Sequence, residues 1–227
     1  IRDSTQPYMF NITSDRIVAT LNSNNYVALF FYNADGKNVV FDNITATIDV
    51  NKATADTKSA ALFNSQYYNS NNAYGVTATF KVVDSAVTLK TSSRQSSWLA
   101  SQNADNTTNM ILNNSSLVFD GTAGFMDTKV VTEGGKPVSI EMIDVQVGLV
   151  FANGSDVSNL TYTVDGSDAQ GIHFKGTVKA NSSSFNVSNA GLIKGYRADV
   201  LMNDNATVTF DTNTKIVADD IRVVNNW

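Results

Sequence analysis

Thr77–Leu89 reads TATFKVVDSAVTL, with apolar Phe80 and Val82 two apart, a polar pair Asp84-Ser85, and apolar Val87 and Leu89 again two apart. Alternation at period two turns one set of side chains inward on a strand, so this is strand, corner, strand. The pattern returns when Phe80 is set against Phe41, Met110, Ile140, Val178 and Val208. Val82 then meets Leu112, Met142, Ala180 and Phe210. Val87 meets Ile48, Leu117, Val147 and Phe185, and Leu89 meets Val50, Phe119, Leu149 and Val187. The steps are 39, 30, 30, 38 and 30 residues. A period in this range marks a solenoid, whose units bury their apolar faces by stacking on one another.

The corner of each copy carries Thr45, Asp84, Asn114, Asp144 and Ser182, followed by Ala46, Ser85, Ser115, Val145 and Ser183. Small inward residues suit a tight bend in a narrow tube. Asp, Asn, Ser and Thr can bond the bend's own backbone, and stacked corners let them form ladders. A third apolar patch follows as Ala61-Leu62-Phe63, Trp98-Leu99, Phe125-Met126 and Leu192-Ile193, giving three short strands per turn. Ile17–Phe31 is a degenerate first coil, with Ile17, Ala19 and Leu21 alternating, then Val27, Leu29 and Phe31. Asn43 falls where other copies place an apolar residue, and the last copy needs one extra residue to bring Ile216 into line.

The expected fold is an all-β, right-handed parallel β-helix of about six to seven coils with two longer loop insertions, within 51–75 and 151–171. Leu160, Tyr162 and Val164 in the second insertion alternate like a short strand. An antiparallel β-sandwich is the alternative, but it gives no reason for a recurring thirty-residue step. Residues 1–16 read as a leading segment or N-terminal cap, and 17–227 as one solenoid domain.

Composition narrows the function classes. The 227 residues include 27 Asn, 2 Pro and no Cys, only 16% are charged, and the net charge is −5. An Asn-, Ser- and Thr-rich, weakly charged chain suits an extracellular all-β protein. Net negative charge argues against nonspecific nucleic-acid binding. Absence of Cys excludes disulfides, thiol catalysis and Cys-based metal sites. No apolar run reaches the length of a membrane span, and Ile1 follows no signal-peptide pattern, so the chain is expected to be a mature or excised piece.

Copies such as NVVFDNITATIDV, TATFKVVDSAVTL and NMILNNSSLVF resemble the pectate-lyase-like β-helix adhesive regions of surface proteins from lactobacilli and related Gram-positive bacteria, over about residues 17–224. The resemblance implies an extracellular, non-catalytic module at the cell surface that binds host or environmental glycans, mucin or pectin-like polymers. It carries no binding residue across, and implies no cofactor, metal, nucleic-acid partner or membrane insertion.

Candidate ligand-binding residues come from chemistry. Tyr67, Tyr68 and Tyr74 in the first long loop, with Arg94 and Trp98, offer aromatic platforms and a polar partner for sugar rings; Trp98 also fits a core position. Lys81 and Lys179 share one outward position, and with Lys90 could form a basic stripe for an acidic polysaccharide.

Asp219-Asp220 with Arg222 superficially suggests a lyase or hydrolase site, but strand neighbours point to opposite faces. His173, the only histidine, reads as an outward strand position or a satisfied corner residue. Ten Asn-x-Ser/Thr sequons read either as glycosylation acceptors or as corner residues, and the bend positions of Asn114 and Asn181 favour corners. Two rivals to the adhesin remain: a β-helical polysaccharide lyase or hydrolase, and a filament subunit joined by strand addition through residues 1–16.

Overall fold

The protein, seen in a computed structural model, is a stack of parallel β-coils. The structure describes residues 9–12, 17–23, 27–31, 37–52, 60–64, 77–91, 97–100, 107–121, 124–125, 127–143, 145, 149–165, 171–188, 192–193, 196–197, 199–203 and 205–224. Every strand among them is short, and parallel pairing joins each to its counterpart one coil away, apart from one small hairpin.

The first sheet runs through Met9–Ile12, Lys37–Asp42, Thr77–Val83, Thr107–Asn113, Asp127–Thr132, Val150–Phe151, Ile172–Phe174, Val200–Asn203 and Ile221–Val224. It therefore begins inside the segment expected to be a cap: Met9–Ile12 pairs residue for residue with Asn38–Phe41. The second sheet stacks eight strands: Ile17–Ser23, Thr45–Lys52, Ala86–Thr91, Ser116–Gly121, Val138–Ile143, Leu160–Asp165, Ser184–Asn186 and Lys215–Val217. A third sheet of four strands joins Val27–Phe31, Ala60–Asn64, Ser97–Ala100 and Gly124–Phe125. The expected third patch at Leu192-Ile193 lies elsewhere, in an antiparallel hairpin with Tyr196-Arg197.

The core is the expected set of inward rows. Phe80, Val82, Leu89, Met110, Leu112 and Phe119 have no exposure at all, and Val87 and Leu117 have 1%. Each row gains its cover from the coils on either side, as stacking requires.

The structure corrects the register of two copies. Phe41 pairs with Val82 and Val39 with Phe80, so the early copy slides by two residues. Ile140 and Met142 stack on Leu117 and Phe119 in the second sheet, while the partner of Met110 in the first is Val130. The expected insertion 151–171 is a coil in its own right, with strands at Val150–Phe151, Ser155–Asp156 and Leu160–Asp165. The second sheet stacks eight strands among the described residues, one of them from that expected insertion. Val178 does continue the Met110 row, through Val130 and Ser155, and it pairs with Val208. The extra residue before Ile216 also holds, since Ile216 pairs with Phe185.

Coils change shape along the stack. From Val150 onward the first-sheet strand breaks in two, and Ser155–Asp156, Thr177–Lys179 and Thr207–Thr209 form a branch that pairs on from Asp127–Thr132. The break contains Gly154 at φ 80, a left-handed conformation open to glycine at little cost. Here the interior fills with rings: Phe151 stacks on Phe174 at 5.6 Å between centroids, and Phe185 lies 6.0 Å from Phe174 and 6.3 Å from Tyr162.

Candidate functional site

Corners between the first and second sheets build a concave surface. Five of them turn at one residue of positive φ: Asn43 (53°), Asp84 (45°), Asn114 (48°), Asn159 (63°) and Ser182 (54°). Asn and Asp tolerate this conformation better than other residues with a Cβ. The early corner is thus Asn43-Ile44, not Thr45-Ala46, which follows from the two-residue slide. Val145 is not in the corner row either, because Pro137-Val138 takes that place: Val138 pairs with Leu160, and Ser139 donates its N–H to Ser115 O at 3.0 Å, while Asp144 lies outside the described residues.

Behind the corner a hydroxyl ladder ties coil to coil. Ser85 Oγ accepts from Ile44 N at 3.1 Å and donates to Val83 O at 2.5 Å. Ser115 Oγ lies within reach of Val82 O (3.0 Å) and Asn113 O (2.6 Å), and accepts from Ser85 N at 3.5 Å. Ser183 Oγ reaches Val157 O at 2.7 Å, and Thr214 Oγ1 reaches Ala180 O at 2.6 Å. In front of the corner, Asn114 Nδ2 donates to Asp84 Oδ1 at 2.6 Å. The stacked polar ladders expected from the sequence are therefore present, inside and out.

Along this row runs an open groove of about 620 Å³. Four coils contribute three consecutive residues each, Asn43–Thr45, Asp84–Ala86, Asn114–Ser116 and Pro137–Ser139, and a fifth contributes Thr161. One end is shaped by the connection Glu133–Pro137, where the corners at Asn43, Asp84 and Asn114 need only two residues between strands. Gly134 is forced there: at φ 75 it lies against Asn113, whose Oδ1 would sit 2.7 Å from an added Cβ. Lys136 from the same connection sits 3.9 Å from Asp84 Oδ1, both half-exposed. The Gly-Gly-Lys-Pro run was a readable turn signal in the sequence. Its effect on an outside groove needs the corner register as well.

The residues expected to bind fare differently. Tyr67, Tyr68, Tyr74 and Arg94 lie outside the described residues. Trp98 lies on the third-sheet strand Ser97–Ala100, where Leu99 pairs with Phe63 and Phe125, and its side chain is outside the described part. Lys81 and Lys179 do share an outward row, running through Ile111, Val131 and Asp156. Each stripe lysine, however, has a carboxylate neighbour: Lys81 with Glu133 at 3.0 Å, Lys90 with Asp120 at 3.4 Å, and Lys179 with Asp156 at 3.0 Å. The stripe is charge-compensated. Burial raises the Asp156 pKa, but hydrogen bonds from Ser158 and Lys179 outweigh it and hold the carboxyl below its ordinary value.

The two aspartates of the acidic pair have different surroundings. Arg222 binds Asp220 Oδ2 through Nε at 2.9 Å and a terminal nitrogen at 2.8 Å, while Asp219 is exposed. The backbone N–H groups of both aspartates point to Asp199 Oδ2 instead. Among the described residues no group of three His, Cys, Asp or Glu is placed to hold a metal ion.

His173 departs from expectation: it is 1% exposed, and its Nε2 lies 2.9 Å from Asn203 Oδ1. The cause is its strand, Ile172–Phe174, which is buried on both faces. Tyr162 is also internal, donating to Gly171 O at 3.1 Å, and burial drives its pKa well above the ordinary phenol value.

Comparison with protein-family models, with curated proteins and with solved structures finds no match to this chain.

Proposed function

We propose that the protein is a non-catalytic, extracellular glycan-binding or adhesive module of a cell-surface protein. The observation that carries this reading is the corner groove: a shallow, open channel lined by hydroxyl, amide and carboxylate groups on a stack of hydrogen-bonded coils. Polar side chains fixed on a rigid sheet can hold sugar hydroxyls without first paying to order themselves. The resemblance to pectate-lyase-like adhesive regions belongs to this proposal and points to the same ligand class. The pairing of Asp220 with Arg222 favours binding over hydrolysis or elimination.

The test is retention of the purified chain by immobilised neutral and acidic polysaccharides and by mucin, with released sugar assayed in the same samples. Retention without release is expected. Release of sugar would replace the adhesin with an enzyme.

A specific observation favours one other reading, self-association by strand addition. The last coil leaves Phe210, Ile216, Ile221 and Val223 37–65% exposed, on rows that are buried or half-buried in the preceding coils. A further coil, from the same polypeptide or from a second copy, would bury them. Residues 9–12 already pair within their own chain, so stacking of whole coils suits this geometry better than donation of the first strand. Sedimentation across a concentration range decides it: polymers that vanish in Ile221→Asp would support assembly, and a constant monomer would remove it.

A further inference from the structure

We infer that the corner groove is the binding site, and that its ligand is a neutral polysaccharide lying extended along the solenoid axis. This rests on the glycan-binding reading above and names its site and substrate class. The groove repeats with the coils, so equivalent side chains recur at the strand spacing of roughly 4.8 Å. That spacing is close to the advance of one sugar unit in an extended chain, so a polymer of like units meets like groups at successive coils.

The outward positions along its floor, Thr45, Ala86, Ser116, Ser139 and Thr161, are small or hydroxyl-bearing, which lets a chain lie close to the sheet. A peptide strand is the poorer occupant. Its usual recognition uses a free sheet edge, and the backbone here is already committed between coils. Asn43 N donates to Val83 O, Asp84 N to Asn113 O, Ala86 N to Ile44 O and Ser116 N to Ser85 O, at 2.9–3.0 Å. Only side chains remain to read the ligand, and hydroxyls and amides match sugar hydroxyls in both donor and acceptor roles.

Charge selects within the glycans. Among the described residues Asp84 is the one carboxylate in the lining and no lysine or arginine lines the groove, while Lys136 beside Asp84 offsets its charge. A polyuronate would bring many carboxylates past Asp84 with a single cation to meet them. Among the described residues no aromatic side chain lines the groove either, so hydrogen bonds take the place of ring stacking there.

Affinity electrophoresis of the whole chain through gels holding a neutral β-glucan, a neutral galactan or polygalacturonate tests the inference. Ala86→Arg fills the groove from an exposed strand position, and Thr88→Arg adds the same side chain two residues further along, outside the lining. Circular dichroism checks that both variants fold. The expected result is retardation by at least one neutral polymer, weakened about tenfold or more by Ala86→Arg and unchanged by Thr88→Arg. Retardation that survives Ala86→Arg, or that favours polygalacturonate, would overturn the inference and leave the glycan-binding reading standing. No retardation by any polymer would overturn both.

Discussion

Two kinds of coil share one interior. Between Thr77 and Gly121 the strands are six or seven residues long in both sheets, the corner takes two residues, and buried serines sit behind it. Between Val150 and Asn186 the strands of the first sheet and its branch are two or three residues long, an extra bend appears at 152–154, and Phe151, Tyr162, Phe174 and Phe185 fill the centre. The stack stays continuous through both, because each coil needs only inward bulk at the right height and inter-coil hydrogen bonds at its edges. Long strands supply that bulk as rows of aliphatic side chains, and short strands supply it with fewer, larger rings. The groove belongs to the long-strand part, where uninterrupted sheets meet at one repeated corner.

The comparison can be broken at its rings first. Phe174 lies 1% exposed against two other aromatic rings, so Phe174→Ala should cost about 3–5 kcal/mol, read from the denaturant midpoint. A cost near zero would mean that the short coils do not depend on their aromatic centre. The serine ladder comes next. Ser115→Ala leaves two carbonyl groups and the N–H of Ser85 without their hydroxyl partner, and should cost about 1–3 kcal/mol. Ser155→Ala in the short coils should behave alike, since Ser155 Oγ bonds Ala152 O and accepts from Val130 N.

The smallest effect sharpens the comparison at an exposed corner. The N–H of Ser182, with further bonds from Thr214, the Ser182 hydroxyl and Asn213, pulls the Asp211 pKa down to about 2. Its folded pKa is below the unfolded value near 3.9, so its contribution is present above about pH 4 and is lost as the pH falls toward 2. Stability followed over that window should fall less steeply in Asp211→Asn than in the parent chain. Identical slopes would show that this corner carries no such linkage.

Much of the site's chemistry was legible, though its geometry was not. Asp84, Asn114 and Ser182 read as bend residues and are bends, and Ser85, Ser115 and Ser183 read as small inward residues and are buried at 2–6%. The groove itself was missed. The aromatic loop drew attention instead, because stacking residues are visible singly while a groove exists only once the coils are aligned. Alignment failed in two ways that the pattern could not prevent. A slide of two residues, as at Phe41, keeps the same face inward, whereas a slide of one would have exposed the whole row. Ile140-Glu141-Met142 fits the first sheet and the second equally well, because both want apolar residues two apart.

The sequence by itself determined that this chain is all strand, that its strands repeat, which side chains face inward, and which residue types turn its corners. Those follow from short-range physics: side-chain alternation, backbone tolerance for positive φ, and the need to bury apolar rows. Only the tertiary structure decided which coil lies on which, that 150–165 is a full turn, that the lysine stripe is paired, and that one row of corners opens into a groove. Each of these depends on partners 20 to 52 residues away in the chain, and period-two patterning holds no record of that register.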